Sequence, residues 1–200
     1  MAVLVVCVCG GASALAAPTR ARAGSAFNCR KQPGEHRLPG GAEYSHLISS
    51  EDTITNFYIC SFAGGPPYKL GREEDDQFFY HADLVFAGER AAVVDGEDGG
   101  EGLEVINLAK SRAVYSSPLV EHPASTLNES GVGRIALERD GSVAWTEQQP
   151  SGAYQVIEHT AAGRKVLDDT NTTRPYSLKL TGSTLSWLEH NGEARSAPLN

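Results

Sequence analysis

Two hairpins near the C-terminal end limit what this chain can fold into. Residues 134–146 read RIALERDGSVAWT and residues 176–189 read YSLKLTGSTLSWLE. Each is an alternating apolar stretch, a glycine turn and a second alternating stretch ending on tryptophan. Side chains along a strand alternate between faces with period two, so Ile135 and Leu137 share a face, as do Val143 and Trp145 beyond Gly141. Leu178, Leu180, Leu185 and Trp187 repeat the arrangement around Gly182. A strand-periodic unit used more than once predicts an all-β chain of repeated modules. The unit itself carries no chemistry.

Strand signals of the same kind run back through the chain. Residues 46–49, 56–61 and 68–70 read as a first unit, and 83–86, 91–95, 103–108 and 113–115 as a second. Residues 154–158 and 165–167 extend the third, and Asn191-Gly192 marks a hairpin in the fourth. Taking Tyr58, Val94, Trp145 and Trp187 as equivalent core positions gives intervals of roughly 35 to 50 residues, the period of strand-only propeller blades. The expected fold is a propeller-like array of about four antiparallel β-meander units over residues 44–200. An open β arc or a two-sheet sandwich would use the same strands.

The N-terminal end points to a compartment. Residues 2–8 are an apolar run, followed by Ala14-Leu15-Ala16 and Ala21-Arg22-Ala23, either of which fits a cleavage site. Residues 1–23 therefore read as an export signal, with a secreted or cell-envelope protein and no membrane span in the mature chain as the expected result. Its removal takes Cys7 and Cys9 away and leaves Cys29 and Cys60. A lone pair of cysteines in an exported chain reads as a disulfide. It would tie residues 24–43, a Pro- and Gly-rich segment read as loop, to the body of the domain.

Charge and motif content exclude several classes. A net charge of -8 without a Lys/Arg cluster argues against nucleic acid. His36, His46, His81, His122, His159 and His190 are scattered without metal-ligand spacing. His81-Ala82-Asp83 would put an imidazole and a carboxylate on one strand face, but no nucleophile motif accompanies them. The weak candidate for a cation is the loop carrying Asp95, Glu97, Asp98 and Glu101, whose hard oxygen donors suit calcium although the spacing is not that of an EF-hand. No catalytic residue and no resident cofactor are expected.

Arg139-Asp140-Gly141-Ser142-Val143-Ala144-Trp145 resembles the Asp-Gly hairpin of TolB-like and related bacterial β-propellers, and Gly182-Ser183-Thr184-Leu185-Ser186-Trp187 is a weaker copy. The wider pattern is similar to short exported bacterial repeat proteins with a cysteine pair in the first repeat. The resemblance implies binding, most often to proteins, and transfers no catalytic residue. The expected function is an exported, non-enzymatic interaction module with an extracellular or envelope protein as partner, met through loops such as 96–102 and 116–133. The contrasting expectation is an extracellular hydrolase or lyase acting on sugars, which would need two carboxylates converging on one cleft.

Overall fold

The computed structural model describes residues 29–31, 36–49, 54–73, 80–97, 100–119 and 131–200. The expected export signal lies outside the described residues. Four antiparallel sheets follow one another along the chain. The first holds β1 (His36–Leu38), β2 (Gly41–Ser49), β3 (Ile54–Ser61) and β4 (Tyr68–Glu73). The second holds β5 (Tyr80–Ala87), β6 (Arg90–Glu97), β7 (Gly100–Asn107) and β8 (Arg112–Pro118). The third holds β9 (Val132–Leu137), β10 (Val143–Gln148), β11 (Tyr154–Thr160) and β12 (Gly163–Asp168), and the fourth β13 (Lys179–Thr181), β14 (Thr184–Leu188) and β15 (Ala194–Pro198). Within each sheet every strand pairs with its chain neighbours, so all four are meanders, and none closes on itself. The chain is all-β. Among the described residues no helix is long and apolar enough to cross a membrane.

The burial pattern shows how the sheets are arranged. Ala91, Ala92, Val93 and Val94 on β6 are all fully buried, as are Val143, Ala144 and Trp145 on β10. Alternation disappears where both faces of a strand are covered. Ala92, Val94, Leu103 and Val105 of the second sheet pack against Ile135, Val143, Trp145 and Ile157 of the third. Ala136, Ala144 and Val156 on the opposite face of the third sheet meet Leu178, Leu185 and Trp187. Ile59 of the first sheet packs on Ala91, Val93 and Ile106 of the second. The sheets are thus stacked in chain order, each internal one lying between two others.

The two ends of the stack differ. On the outer face of the first sheet, Ala42, Tyr44 and Cys60 are covered by the short 3-10 turn Cys29–Lys31. The Cys29–Cys60 disulfide holds that turn in place, and Arg30 stacks its guanidinium over Phe62, 4.6 Å from the ring centre. On the fourth sheet β14 alternates exposed and buried residues, because only one face is covered. Its outer face presents Thr184, Ser186 and Leu188 to solvent. A polar outer face is what ends a stack of repeats.

Three expectations are corrected here. The stretch at residues 30–41, read as loop, contains β1, which pairs with β2 through the Pro39-Gly40 turn. Tyr58 lies on the third strand of its sheet, whereas Trp145 and Trp187 lie on the second of theirs; Tyr44, stacked on Tyr58 with ring centres 5.3 Å apart, occupies the matching strand. Val94 is on the right strand but the wrong face. Trp145 and Trp187 both point toward the preceding sheet, and in the second sheet that direction belongs to Val93.

Close approaches lock the stack. A Cβ on Gly41 would sit 2.5 Å from the Phe86 ring, and one on Gly133 would sit 2.3 Å from the Pro175 carbonyl oxygen. That same oxygen accepts a hydrogen bond from the Thr146 hydroxyl, which in turn accepts one from the Arg134 backbone N–H. The joint fills the place where the β9–β10 register shifts. Gly133→Ala should therefore lower stability by about 3 kcal/mol, since a backbone carbonyl must move to admit the methyl. Trp145→Ala should cost about 3 to 5 kcal/mol. Both are read from urea unfolding midpoints, and an unchanged midpoint for either refutes the packing assigned to it.

Candidate functional site

The first strands of the last three sheets come together. β5 lies against β9, and β9 against β13, yet each stands at the edge of its own sheet and is paired on one side only. Between them is an open cleft of about 490 Å³ lined by Val85, Phe86 and Leu180, by Arg134, Lys179 and Thr181, and by the buried Ile135 and Leu178. A second space of about 340 Å³ shares Arg134, Val85 and Phe86 and continues past Asp83 to Pro39 in the β1–β2 turn.

The charged residues are positioned by local backbone features. Arg134 is held by its register pairing with Thr146 and by the Thr146 hydroxyl described above. Asp83 sits at a β-bulge, where the β5–β6 register slips between Ala82 and Val85. Its φ of 51° is left-handed, a conformation that aspartate tolerates better than most residues. Burial pushes the Asp83 carboxyl above its ordinary range, and the Arg134 charge opposes that shift without cancelling it. Lys179 opens β13 and is exposed on the rim. Among the described residues neither Arg134 nor Lys179 forms a salt bridge.

A second set of ionisable groups is structural. The Trp145 indole N–H donates to Glu147 Oε2 at 3.0 Å, and Arg164 lies 3.5 Å from the same oxygen. The Trp187 indole N–H donates to Asp168 Oδ2 at 2.6 Å. Glu189, two residues beyond Trp187 as Glu147 is beyond Trp145, is paired with Arg195 at 2.8 Å. Burial alone would raise the Asp168 carboxyl, but hydrogen bonds from the Thr170 backbone and hydroxyl and from Trp187 outweigh it and hold it below the ordinary value. His159 stacks on Tyr115 at 3.6 Å, and burial lowers its pKa. None of these groups lines the cleft.

The residues singled out from sequence fall elsewhere. Asp98 and the side chains of Asp95, Glu97 and Glu101 lie outside the described residues; in the backbone, β6 pairs Glu97 with Gly100 of β7. Among the described residues no group of three or more His, Cys, Asp and Glu gathers as metal ligands would. Asp83 sits at the β5 bulge, and the His81 side chain lies outside the described residues. Most of the loop at 116–133 is likewise outside the described residues. The cleft residues Asp83, Arg134 and Lys179 were missed as a site because they come from three separate strands about 50 residues apart and share no motif. The repeated Trp-x-Glu at 145–147 and 187–189 was a signal for buried carboxylates that the sequence reading passed over.

No family model matches the chain, and no curated protein matches it. Among solved structures it is similar to a functionally unknown protein from Desulfotomaculum acetoxidans DSM 771, at 12% identity and a TM-score of 0.33, over 78% of this chain and 56% of that one. The match therefore spans little more than half of that protein's length.

The two carboxyls should give opposite pH signatures. Asp168, with a lowered folded pKa, adds stability above the ordinary carboxyl range that is lost as pH falls through its folded pKa. Asp168→Asn should cost about 1 to 2 kcal/mol at neutral pH, with the deficit shrinking on acidification. Asp83, with a raised folded pKa, opposes folding once it must ionise, so Asp83→Asn should raise the neutral-pH melting temperature. That gain should vanish below the ordinary aspartate range. Melting curves of both variants from pH 7 downward check the signs.

Proposed function

We propose that this protein is an exported, propeller-like, non-enzymatic binding module that takes part of a protein partner into the cleft between β5, β9 and β13. The carrying observation is that the first strands of three successive sheets line one open cleft of about 490 Å³, where Arg134, Lys179 and Thr181 stand beside Val85, Phe86 and Leu180. The propeller reading draws further support from the meander topology and from the way β5, β9 and β13 approach one another. Export is supported by the apolar N-terminal run and by the disulfide.

A hydrolase or lyase reading has less behind it. Among the described residues no carboxylate lines the cleft and a single one, Asp83, lines the adjoining space, whereas glycoside cleavage uses a pair. Peptides selected by display against the wild-type protein should bind Thr181→Trp about tenfold more weakly, because the indole occupies the cleft, and should bind Lys110→Trp normally. Selected peptides indifferent to Thr181→Trp, or turnover of a polysaccharide panel by the purified protein, would count against this function.

A further inference from the structure

The seam between the second and third sheets carries a pair of stacked rings. β8 is an edge strand of the second sheet, paired within it to β7 alone. Its Val114 is 46% exposed, and Tyr115 is the large side chain that β8 packs into the core between the two sheets. There the Tyr115 ring lies on the His159 imidazole of β11, with 3.6 Å between ring centres and 20° between planes, and is tilted against Trp145 at 6.5 Å. The grip of β8 on the third sheet thus runs through a half-buried histidine.

The surroundings of His159 disfavour a charge on it. Its register partners in the third sheet are Val143 on β10 and Arg164 on β12, and like charges directly opposite across strands repel. Glu147 of β10 is already engaged by the Trp145 indole and by Arg164. From the second sheet the titratable group that meets His159 is Tyr115. Among the described residues no carboxylate is paired with the imidazole. A cation is drawn to a tyrosine ring, but burial acts the other way and holds the His159 pKa below its ordinary value.

We propose that the Tyr115–His159 stack is a pH-sensitive latch, and that a proton on His159 releases β8 from the third sheet while the sheets stay stacked. Neither residue lines the cleft, so the latch stands independently of the binding site. Release is local, because Ile135, Val143, Trp145 and Ile157 keep their own packing against Ala92, Val94, Leu103 and Val105. With a lowered folded pKa, the contact contributes fully above the ordinary histidine value and is lost as pH falls through the folded one.

The test is amide hydrogen exchange of the full chain at about pH 7.5 and about pH 5, which bracket histidine titration, read as protection factors to remove the intrinsic rate. The β8 amides should lose protection at the lower pH while those of β6 keep theirs. The NMR titration of His159, identified by its absence from His159→Gln, should have its midpoint below the ordinary histidine value. His159→Gln should give the same β8 protection at both pH values, and so should Tyr115→Leu, which removes the ring but keeps an apolar side chain. Equal β8 protection at both pH values in the wild type overturns the latch, as does a pH-dependent loss that persists in both variants. A His159 midpoint at or above the ordinary value overturns it too, since the stack would then hold the cation. Loss of protection spread evenly over all four sheets is acid unfolding and overturns the local release.

Discussion

A β-sheet has two faces, and an apolar face left in water costs stability in proportion to its area. The whole molecule follows from how that requirement is met. A single meander of three or four strands cannot cover its own apolar face, so each sheet is stacked on the next. The second and third sheets, being internal, are apolar on both sides: Val93 faces the first sheet and Val94 the third, while Trp145 faces the second sheet and Ala144 the fourth. The ends meet the same requirement by different means. At one end the disulfide holds a three-residue turn over Ala42 and Tyr44. At the other a short three-stranded sheet has a polar outer side.

Stacking sheets on large aromatic side chains creates a second problem. An indole buried between sheets needs a partner for its N–H, since an unsatisfied buried donor costs about 1 to 3 kcal/mol. Trp145 and Trp187 both donate to carboxylates, but from different places: Glu147 lies two residues along the same strand, and Asp168 is brought in from the end of β12. The carboxylates must then be stabilised in turn. Arg164 does so for Glu147, and the Thr170 backbone and hydroxyl do so for Asp168. Glu189 keeps the Trp-x-Glu spacing but has been released from its tryptophan and pairs with Arg195 instead. The repeat thus retains its residues while the contacts among them have diverged.

What could be read from the chain and what could not divide along the same physical line. Strands with one covered face, such as β14, alternate visibly, and their hairpins announce themselves through Gly182 and Gly192. Turn type was less legible: Asn191 is not left-handed, and only Gly192, with φ of 89°, takes that conformation. In β6, at the middle of an internal sheet, alternation vanishes because both faces are covered, so Ala91-Ala92-Val93-Val94 says strand without saying which residue faces which neighbour. That is why Val94 was assigned the role held by Val93. β1, with the polar text His36-Arg37-Leu38, has no periodic signal at all and exists because β2 offers it an edge. The cleft was invisible for a related reason, since its charges belong to different strands and come together only when the sheets are stacked.

The lining of the cleft differs in charge from the chain as a whole, whose net charge is -8. At physiological ionic strength charges separated by more than about 8 Å are largely screened where water intervenes. What a ligand group experiences inside the cleft is therefore set by the side chains lining it. Asp83 is the acidic one among them, and it lines the adjoining space together with Arg134, whose charge acts on its carboxyl. Lys179 lines the larger space, while Arg134 lines both. Among the described residues two cations and one carboxylate thus line the two spaces of a molecule that is acidic as a whole.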